Sequence, residues 1–148
     1  MIADASDTVD GTWQHHANIV FKYGQNPEEA HIRIAFEPGS SWSAVGERAN
    51  QISKDKPTLN LGWLKDDPVP DEQDRGTILH EFGHALGMMH EHQSPARGQH
   101  IHLKEREVYM YYRPYLGDKA TIKSQIIDTF NEGKIMNMSK LDLESIMM

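Results

Sequence analysis

The most regular alternation of hydrophobic and polar residues lies in residues 30–37. A period of two places successive side chains on opposite faces of a strand, so one face can be buried while the other meets solvent. The buried face predicted in this way carries Ala30, Ile32, Ile34 and Phe36, and the solvent face carries His31, Arg33, Ala35 and Glu37. The pattern therefore predicts a half-buried strand.

Three shorter stretches also have the composition of strands. Residues 19–23 are rich in β-branched and aromatic side chains and end at a Gly-Gln-Asn-Pro turn. Leu59, Leu61 and Trp63 alternate with Thr, Asn and Gly, and residues 42–45 are short enough for an element at a sheet edge. These stretches predict a small sheet in the first half of the chain.

Helical spacing of apolar residues predicts four helices. They cover residues 4–18, 71–86, about 103–112 and 118–131. The third is disturbed at Pro114. Its tyrosines are expected to pack in the core and at interfaces, with one of them facing the cleft as the alternative; they are Tyr109, Tyr111, Tyr112 and Tyr115. The apolar positions that predict the first and the fourth helix are Val9, Trp13 and Ala17, and Ile122, Ile126 and Phe130.

The second predicted helix has the clearest start. Asp71, Glu72 and Asp74 place negative charge at its first turn, where the helix dipole is positive. Its predicted core face carries Ile78, Leu79, Phe82, Ala85 and Leu86. The histidines of the same helix take the other side, so one helix would serve both packing and chemistry.

Strands and helices come in separate runs rather than in strict alternation, which favours an α+β fold. At 148 residues the chain has the size of one domain with a real core. We expect an N-terminal subdomain of residues 1–90 with the sheet and the second helix. A smaller and mostly helical C-terminal subdomain would follow in residues 91–148.

Composition narrows the classes of partner. The chain has 15 Lys and Arg against 22 Asp and Glu, a net charge of -7, and no basic cluster, so no nucleic-acid partner is expected. No apolar run approaches the ~20 residues of a membrane span, and the N-terminus has no signal-peptide pattern. The absence of cysteine excludes disulfides and thiolate metal sites.

Residues 80–90, HEFGHALGMMH, fit the pattern HExxHxxGxxH. Residues four apart on a helix lie about 6 Å apart, so His80 and His84 can bind one metal ion at ~2.1 Å. Glu81 lies about 100° round the helix from His80. It can therefore reach a water on the metal without binding the metal itself, which is the position of a general base.

His90 requires the helix to end. In a continued helix it would lie about 9 Å beyond His84 and roughly 120° off the face. Gly87 can take the left-handed conformation that ends a helix and turns the chain back. Three imidazoles with one open position are typical of a catalytic zinc site.

Through these residues the chain resembles the metzincin zinc endopeptidases, and among them the astacin family with its bacterial and fungal relatives. The motif is complete, Glu91 follows the third histidine as in astacins, and His92-Gln93-Ser94-Pro95 is also similar. Ser145-Ile146-Met147 resembles the Met-turn beneath the zinc in that family. The likeness covers most of the chain.

The resemblance implies roles for single residues. His80, His84 and His90 would bind one Zn²⁺, Glu81 would be the general base, and Met147 the Met-turn methionine, with Gly87 and Glu91 structural at the site. The implied fold is metzincin-like, with a twisted, mainly parallel small sheet, a backing helix and a Met-turn at the end of the C-terminal subdomain. The implied substrate is a protein or peptide bound in extended form along a sheet edge, and the implied location is secreted.

Two departures from the family pattern are visible. The family's tyrosine two positions after the Met-turn methionine would stand one position beyond Met148, and the strand before the first helix has no obvious counterpart. We therefore expect a form trimmed at both ends. Two rival functions stay open: a zinc-binding module that holds peptides without cleaving them, and a zinc hydrolase of small amides or esters.

Other candidate residues have plainer interpretations. His15, His16, His31 and His92 are interpreted as surface or hydrogen-bonded histidines. His100 and His102 could bind a metal from a strand, and Asp66 and Asp67 could hold calcium. No third ligand is in pattern for the histidine pair, and a solvated loop is the simpler interpretation of the aspartates.

Overall fold

The fold is that of a computed structural model, which describes residues 12–24, 26–62, 64, 71–98, 101–131, 133 and 137–148. The backbone divides into two compact units, Met1–Met88 and Met89–Met148. The first holds a small sheet and one long helix, and the second holds helices and turns. The α+β prediction is confirmed. Within the described residues, no helix combines the length and the apolar character that a membrane crossing requires.

The sheet of the first unit has three short strands. They are β1 (Ile34–Ala35), β2 (Trp42–Ser43) and β3 (Leu59–Asn60), in the order β1-β3-β2. β1 runs parallel to β3 and β2 runs antiparallel to it, so the sheet is mixed rather than mainly parallel. β2 lies at an edge, as predicted.

The predicted faces of residues 30–37 are only partly right. Ile32 and Ile34 pack against the core, but Arg33 is 8% exposed and Phe36 is 58% exposed, the reverse of the expectation. Arg33 can be buried because its guanidinium donates to the main-chain oxygens of Ala30, Ile52, Ser53 and Lys56. A buried charge is tolerated when its donors are satisfied in this way.

Two predictions at the N-terminal end are also corrected. The described part of the first predicted helix is one turn, α1 (Trp13–His16), which ends where Ala17 becomes extended; residues 4–11 lie outside the described residues. Residues 19–23 are irregular rather than a strand. Phe21 in this stretch packs edge-on against Phe82, with ring centroids 5.2 Å apart.

The core of the first unit is built from β3 and the long helix. Leu59, Leu61 and Phe82 are buried, and Ile78 and Ala85 pack on them, as the sequence predicts. Further partly buried contributors to this core are Trp13, Phe21, Ile32, Ile34 and Leu64. The prediction was wrong for Leu86, which is 37% exposed because it stands at the C-cap, where the helix ends. Trp63 lies outside the described residues.

The long helix, α2 (Glu72–Ala85), begins where the sequence predicts. The Asp71 side chain accepts a hydrogen bond from the Asp74 main-chain nitrogen at 2.9 Å, and the Asp74 side chain accepts one from the Asp71 nitrogen. This capping box serves donors that the first helical turn leaves without partners. The helix that carries the candidate site therefore has a fixed start.

The second unit departs further from its predicted helices. The expected loop after His90 contains two single 3₁₀ turns, Glu91–Gln93 and Pro95–Arg97. Helix α3 (Glu105–Leu116) continues through Pro114. No residue of α3 is buried, and Tyr111 and Tyr115 are 65% and 73% exposed, so the prediction that these tyrosines pack in the core is wrong.

Helix α4 (Lys119–Ile122) continues directly into a π-helical turn, Lys123–Ile127. A π turn closes its hydrogen bond over five residues, here from the Asp128 nitrogen to the Lys123 oxygen, whereas an α turn closes it over four. The buried residue after Ile122 is therefore Ile127, at 7% exposure, instead of the predicted Ile126. The helix also ends at Ile127 rather than at residue 131.

Candidate metal centre

Helix α2 holds the first two histidines and the glutamate of the motif. His80 and His84 lie one turn apart, with ring centroids 4.7 Å apart and ring planes at 89°. Glu81 and His84 are 6% and 8% exposed. The helical periodicity thus brings the two imidazoles together, as the spacing of four predicts.

Gly87 ends the helix by a specific pattern of hydrogen bonds. The Gly87 nitrogen donates to the His84 oxygen at 2.8 Å, and the Met88 nitrogen donates to the Gly83 oxygen at 2.9 Å. These two bonds are those of the Schellman motif, which requires a left-handed residue at C′. Gly87 has φ +99°, a conformation that side chains rarely permit. The predicted mechanical role of Gly87 matches this geometry.

The segment that continues from this turn carries His90 in extended conformation. One ligand atom from each of His80, His84 and His90 can be chosen so that all three lie within 4.8 Å of one another. No other group of three or more His, Asp or Glu among the described residues meets this criterion. The geometry of residues 80–90 therefore offers a compact set of imidazole nitrogens.

The ring of His84 is oriented by a neighbouring carbonyl. Its Nδ1 lies 2.9 Å from the Met88 oxygen, which can only accept, so Nδ1 carries the proton. The second nitrogen, Nε2, then keeps its lone pair. Burial lowers the pKa of His84, which favours the neutral ring that a metal needs.

Glu81 has the chemistry of a base held out of water. Its Oε2 is buried and has no hydrogen-bond partner within the described part of the chain. Burial raises the pKa of this carboxyl from 4.5 to about 7. A carboxyl whose pKa lies near neutrality can both take and return a proton at physiological pH.

Glu91 and Met147 meet in the second unit. The Glu91 nitrogen donates to the Met147 oxygen at 2.8 Å, and the Glu91 Oε1 accepts from the Asp142 nitrogen at 3.1 Å. Met147 is buried, with 3% exposure, and its nitrogen donates to the Ser145 hydroxyl. The segment around Met147 is thereby tied to the residue that follows His90.

The structure also places the other histidines. His15, His16, His31 and His102 are exposed, and His100, Asp66 and Asp67 lie outside the described residues. His92 stacks on His90 with centroids 5.2 Å apart, and its Nε2 lies 3.0 Å from the Ile126 oxygen. The interpretation of His92 as a hydrogen-bonded histidine agrees with this contact.

Sequence reasoning missed one residue of this region, Gln93. Its side chain is 2% exposed, and its Oε1 lies 3.3 Å from His90 Nδ1. Its remaining partners are main-chain oxygens 31 and 35 residues away in sequence. No local pattern signals such partners.

Comparison with known families matches residues 7–148 to the peptidase family described as Astacin. The chain belongs to the astacin family. This agrees with the resemblance inferred from residues 80–95 and 145–147.

The chain is also similar to solved structures and to curated proteins. The chain is 33% identical to a structure of myroilysin, with a TM-score of 0.75, over 91% of this chain and 65% of that one. A crystal structure of myroilysin gives a TM-score of 0.62 at 33% identity, over 91% of this chain and 58% of that one. Tolloid-like protein 1 of Homo sapiens and that of Mus musculus are each 29% identical over 89 residues, which are 60% of this chain and 8% of theirs.

This astacin-family chain thus spans less than two thirds of the myroilysin chains and a small part of the Tolloid-like proteins. Its site residues fit the family's metal. Three imidazole donors suit zinc.

Proposed function

We propose that this chain is a zinc-dependent endopeptidase in which His80, His84 and His90 hold one Zn²⁺ and Glu81 is the general base. The observation that carries the proposal is the imidazole set of residues 80–90, whose ligand atoms lie within 4.8 Å of one another. A tetrahedral zinc with bonds of ~2.1 Å needs nitrogens about 3.4 Å apart. Rotation about side-chain bonds can supply the difference.

Zinc, when bound, would polarise the substrate carbonyl and lower the pKa of a water from 15.7 to about 7. The chain's own residues do the proton transfer. Glu81, buried and with a carboxyl pKa of about 7, takes the proton of the attacking water and passes it to the leaving amine. His84 contributes by staying neutral, which the Met88 carbonyl and burial both favour.

The proposed substrate is an extended peptide that adds to the edge of the sheet. β2 pairs with β3 on one side, and its other side is a sheet edge. An edge strand offers main-chain hydrogen bonds that do not depend on the substrate's side chains. Astacin-family membership supports protein or peptide substrates. We extend the proposal to a secreted location, as expected for this family.

The test compares Glu81→Gln with Glu72→Gln, an exposed glutamate in the first turn of the same helix. We expect the parent and Glu72→Gln to bind one zinc per chain and to cleave casein at internal bonds, with cleavage stopped by a chelator. Glu81→Gln should keep the zinc and lose at least about 10²-fold in rate. His84→Ala should lose the zinc, whereas His31→Ala, at an exposed histidine, should keep it.

Cleavage by Glu81→Gln at the parent's rate would refute the role of this base. A parent that binds zinc and peptide but cuts neither casein nor small amides would show a binding module instead. Cleavage of small amides or esters alone would show a hydrolase of small molecules.

A further inference from the structure

Gln93 lies between the third histidine and the end of a helix. Its side chain is 2% exposed. Its Nε2 donates to the Asp128 oxygen at 2.9 Å and, at 3.4 Å, to the Ser124 oxygen. Its Oε1 lies 3.3 Å from His90 Nδ1.

The main-chain oxygens around Gln93 explain why it is fixed. A helix leaves its last carbonyls without partners, and side chains of residues 92–97 bond the carbonyls at the end of the π turn that follows α4. His92 bonds the Ile126 oxygen, and Arg97 donates to the Ile127 oxygen. The Phe130 nitrogen also donates to the Gln93 oxygen, at 2.9 Å. Both the backbone and the side chain of Gln93 are therefore held.

These contacts decide which way the amide points. Carbonyl oxygens can only accept, so the NH₂ group of Gln93 must face Ser124 and Asp128. The amide oxygen then faces His90. Because that oxygen can only accept, the nitrogen opposite it, Nδ1 of His90, must carry a proton.

We propose that Gln93 is a positioning residue that holds His90 as the Nδ1–H tautomer and leaves Nε2 for zinc. The inference rests on the proposed function for its zinc, but the tautomer itself is a property of the metal-free chain. His92 adds to the effect, since its ring is stacked on His90 at 24° and bonded to the Ile126 oxygen. Loss of a partner that orients a metal-binding histidine typically costs 10–100-fold in metal affinity.

The experiment uses three variants of the full chain. Gln93→Leu removes both the ties to the helix end and the acceptor for His90. Gln93→Glu loses the donors to the carbonyls but keeps an acceptor opposite Nδ1. The matched control, Arg97→Gln, weakens the ties from Arg97 to the His92 and Ile127 oxygens, and Arg97 has no described bond to His90.

Two readouts separate positioning from simple stability. Long-range ¹H–¹⁵N correlation spectra of the metal-free protein at about pH 8 report which nitrogen of His90 is protonated. Competition with a chromophoric chelator gives the zinc affinity, and the visible spectrum of the Co²⁺-substituted protein reports the ligand geometry. We expect the Nδ1–H tautomer in the parent and in Arg97→Gln, and a mixture in Gln93→Leu.

Zinc affinity should fall about 10–100-fold in Gln93→Leu and be largely restored in Gln93→Glu. An Nε2–H tautomer in the parent would overturn the proposal, as would equal losses of affinity in Gln93→Leu, Gln93→Glu and Arg97→Gln. Absence of zinc binding by the parent would instead refute the proposed zinc site. Because the tautomer is measured without metal, the two failures are distinguishable.

Discussion

The buried carboxyl of Glu81 should make the metal-free protein less stable as the pH rises. Its pKa is raised from 4.5 to about 7 in the folded chain. Between these values the unfolded chain loses the proton while the folded chain keeps it. The folded state then binds more protons, so the free energy of unfolding falls as the pH increases from about 4.5 to 7.

The size of the effect follows from the pKa. A rise from 4.5 to about 7 corresponds to about 3 kcal/mol, because one pKa unit is worth about 1.36 kcal/mol. We expect about 2 kcal/mol in a measurement, since screening by solvent lowers the cost of burying the charge. His84 acts in the opposite direction, because its lowered pKa makes the folded chain gain stability as the pH rises towards 6.5.

The comparison of the parent with Glu81→Gln removes the contribution of His84, which both share. Urea denaturation in the presence of a chelator, at pH values from about 4.5 to 7.5, gives the free energy of unfolding of each. All three tryptophans lie in residues 1–88, so their fluorescence reports the unit that contains α2. The parent should lose about 2 kcal/mol relative to Glu81→Gln across this range.

The matched control is Glu72→Gln, at an exposed position of the same helix. The parent and Glu72→Gln share the buried carboxyl of Glu81, so the difference between their free energies of unfolding should not rise with pH. A difference between the parent and Glu81→Gln that stays constant from pH 4.5 to 7.5, or changes with the opposite sign, would refute the buried, protonated carboxyl.

Three further predictions concern the elements that support the site. Gly87→Ala should destabilise the chain by about 1–2 kcal/mol and weaken zinc binding, because φ is +99° there; Gly76→Ala, inside α2 with open space around it, should stabilise by about 0.5–1 kcal/mol in the same urea titration. Arg33→Met should cost about 2–4 kcal/mol because the main-chain oxygens of Ile52 and Lys56 lose their side-chain donor and those of Ala30 and Ser53 lose one of two donors. The exposed Arg48→Met should cost less than about 0.5 kcal/mol. Asp71→Ala should lower the free energy of unfolding by about 1 kcal/mol through loss of the cap, and Asp71→Ser should restore most of it. In each of these three comparisons, equal stability of the two variants would contradict the reasoning.

Local signals in the sequence predicted the helix of the site well. Asp71 with Asp74, the apolar spacing through Phe82, and Gly87 all act within a few residues of themselves, and the structure places the start and the end of α2 accordingly. The same reasoning placed His80 and His84 on one face. Such features need no knowledge of the rest of the fold.

Features that depend on distant contacts were missed. Arg33 looked like a solvent-facing residue, yet it is buried because the carbonyls of residues 52–56 lie around it. Ile127 is buried in place of Ile126 because a π turn shifts the helical register. The spacing of apolar residues did not predict this turn. Residues 19–23 have strand composition but no ladder partner among the described residues, and composition alone cannot supply one.

The rings of His84 and His90 show the same contrast between local and distant contacts. His84 is oriented by the Met88 carbonyl, four residues on, which the turn at Gly87 presents to it. His90 is oriented through Gln93 by carbonyls of Ser124 and Asp128, far away in sequence. The motif HExxHxxGxxH therefore predicts which three histidines come together. The tautomer of the third, His90, depends on the helical part of the second unit.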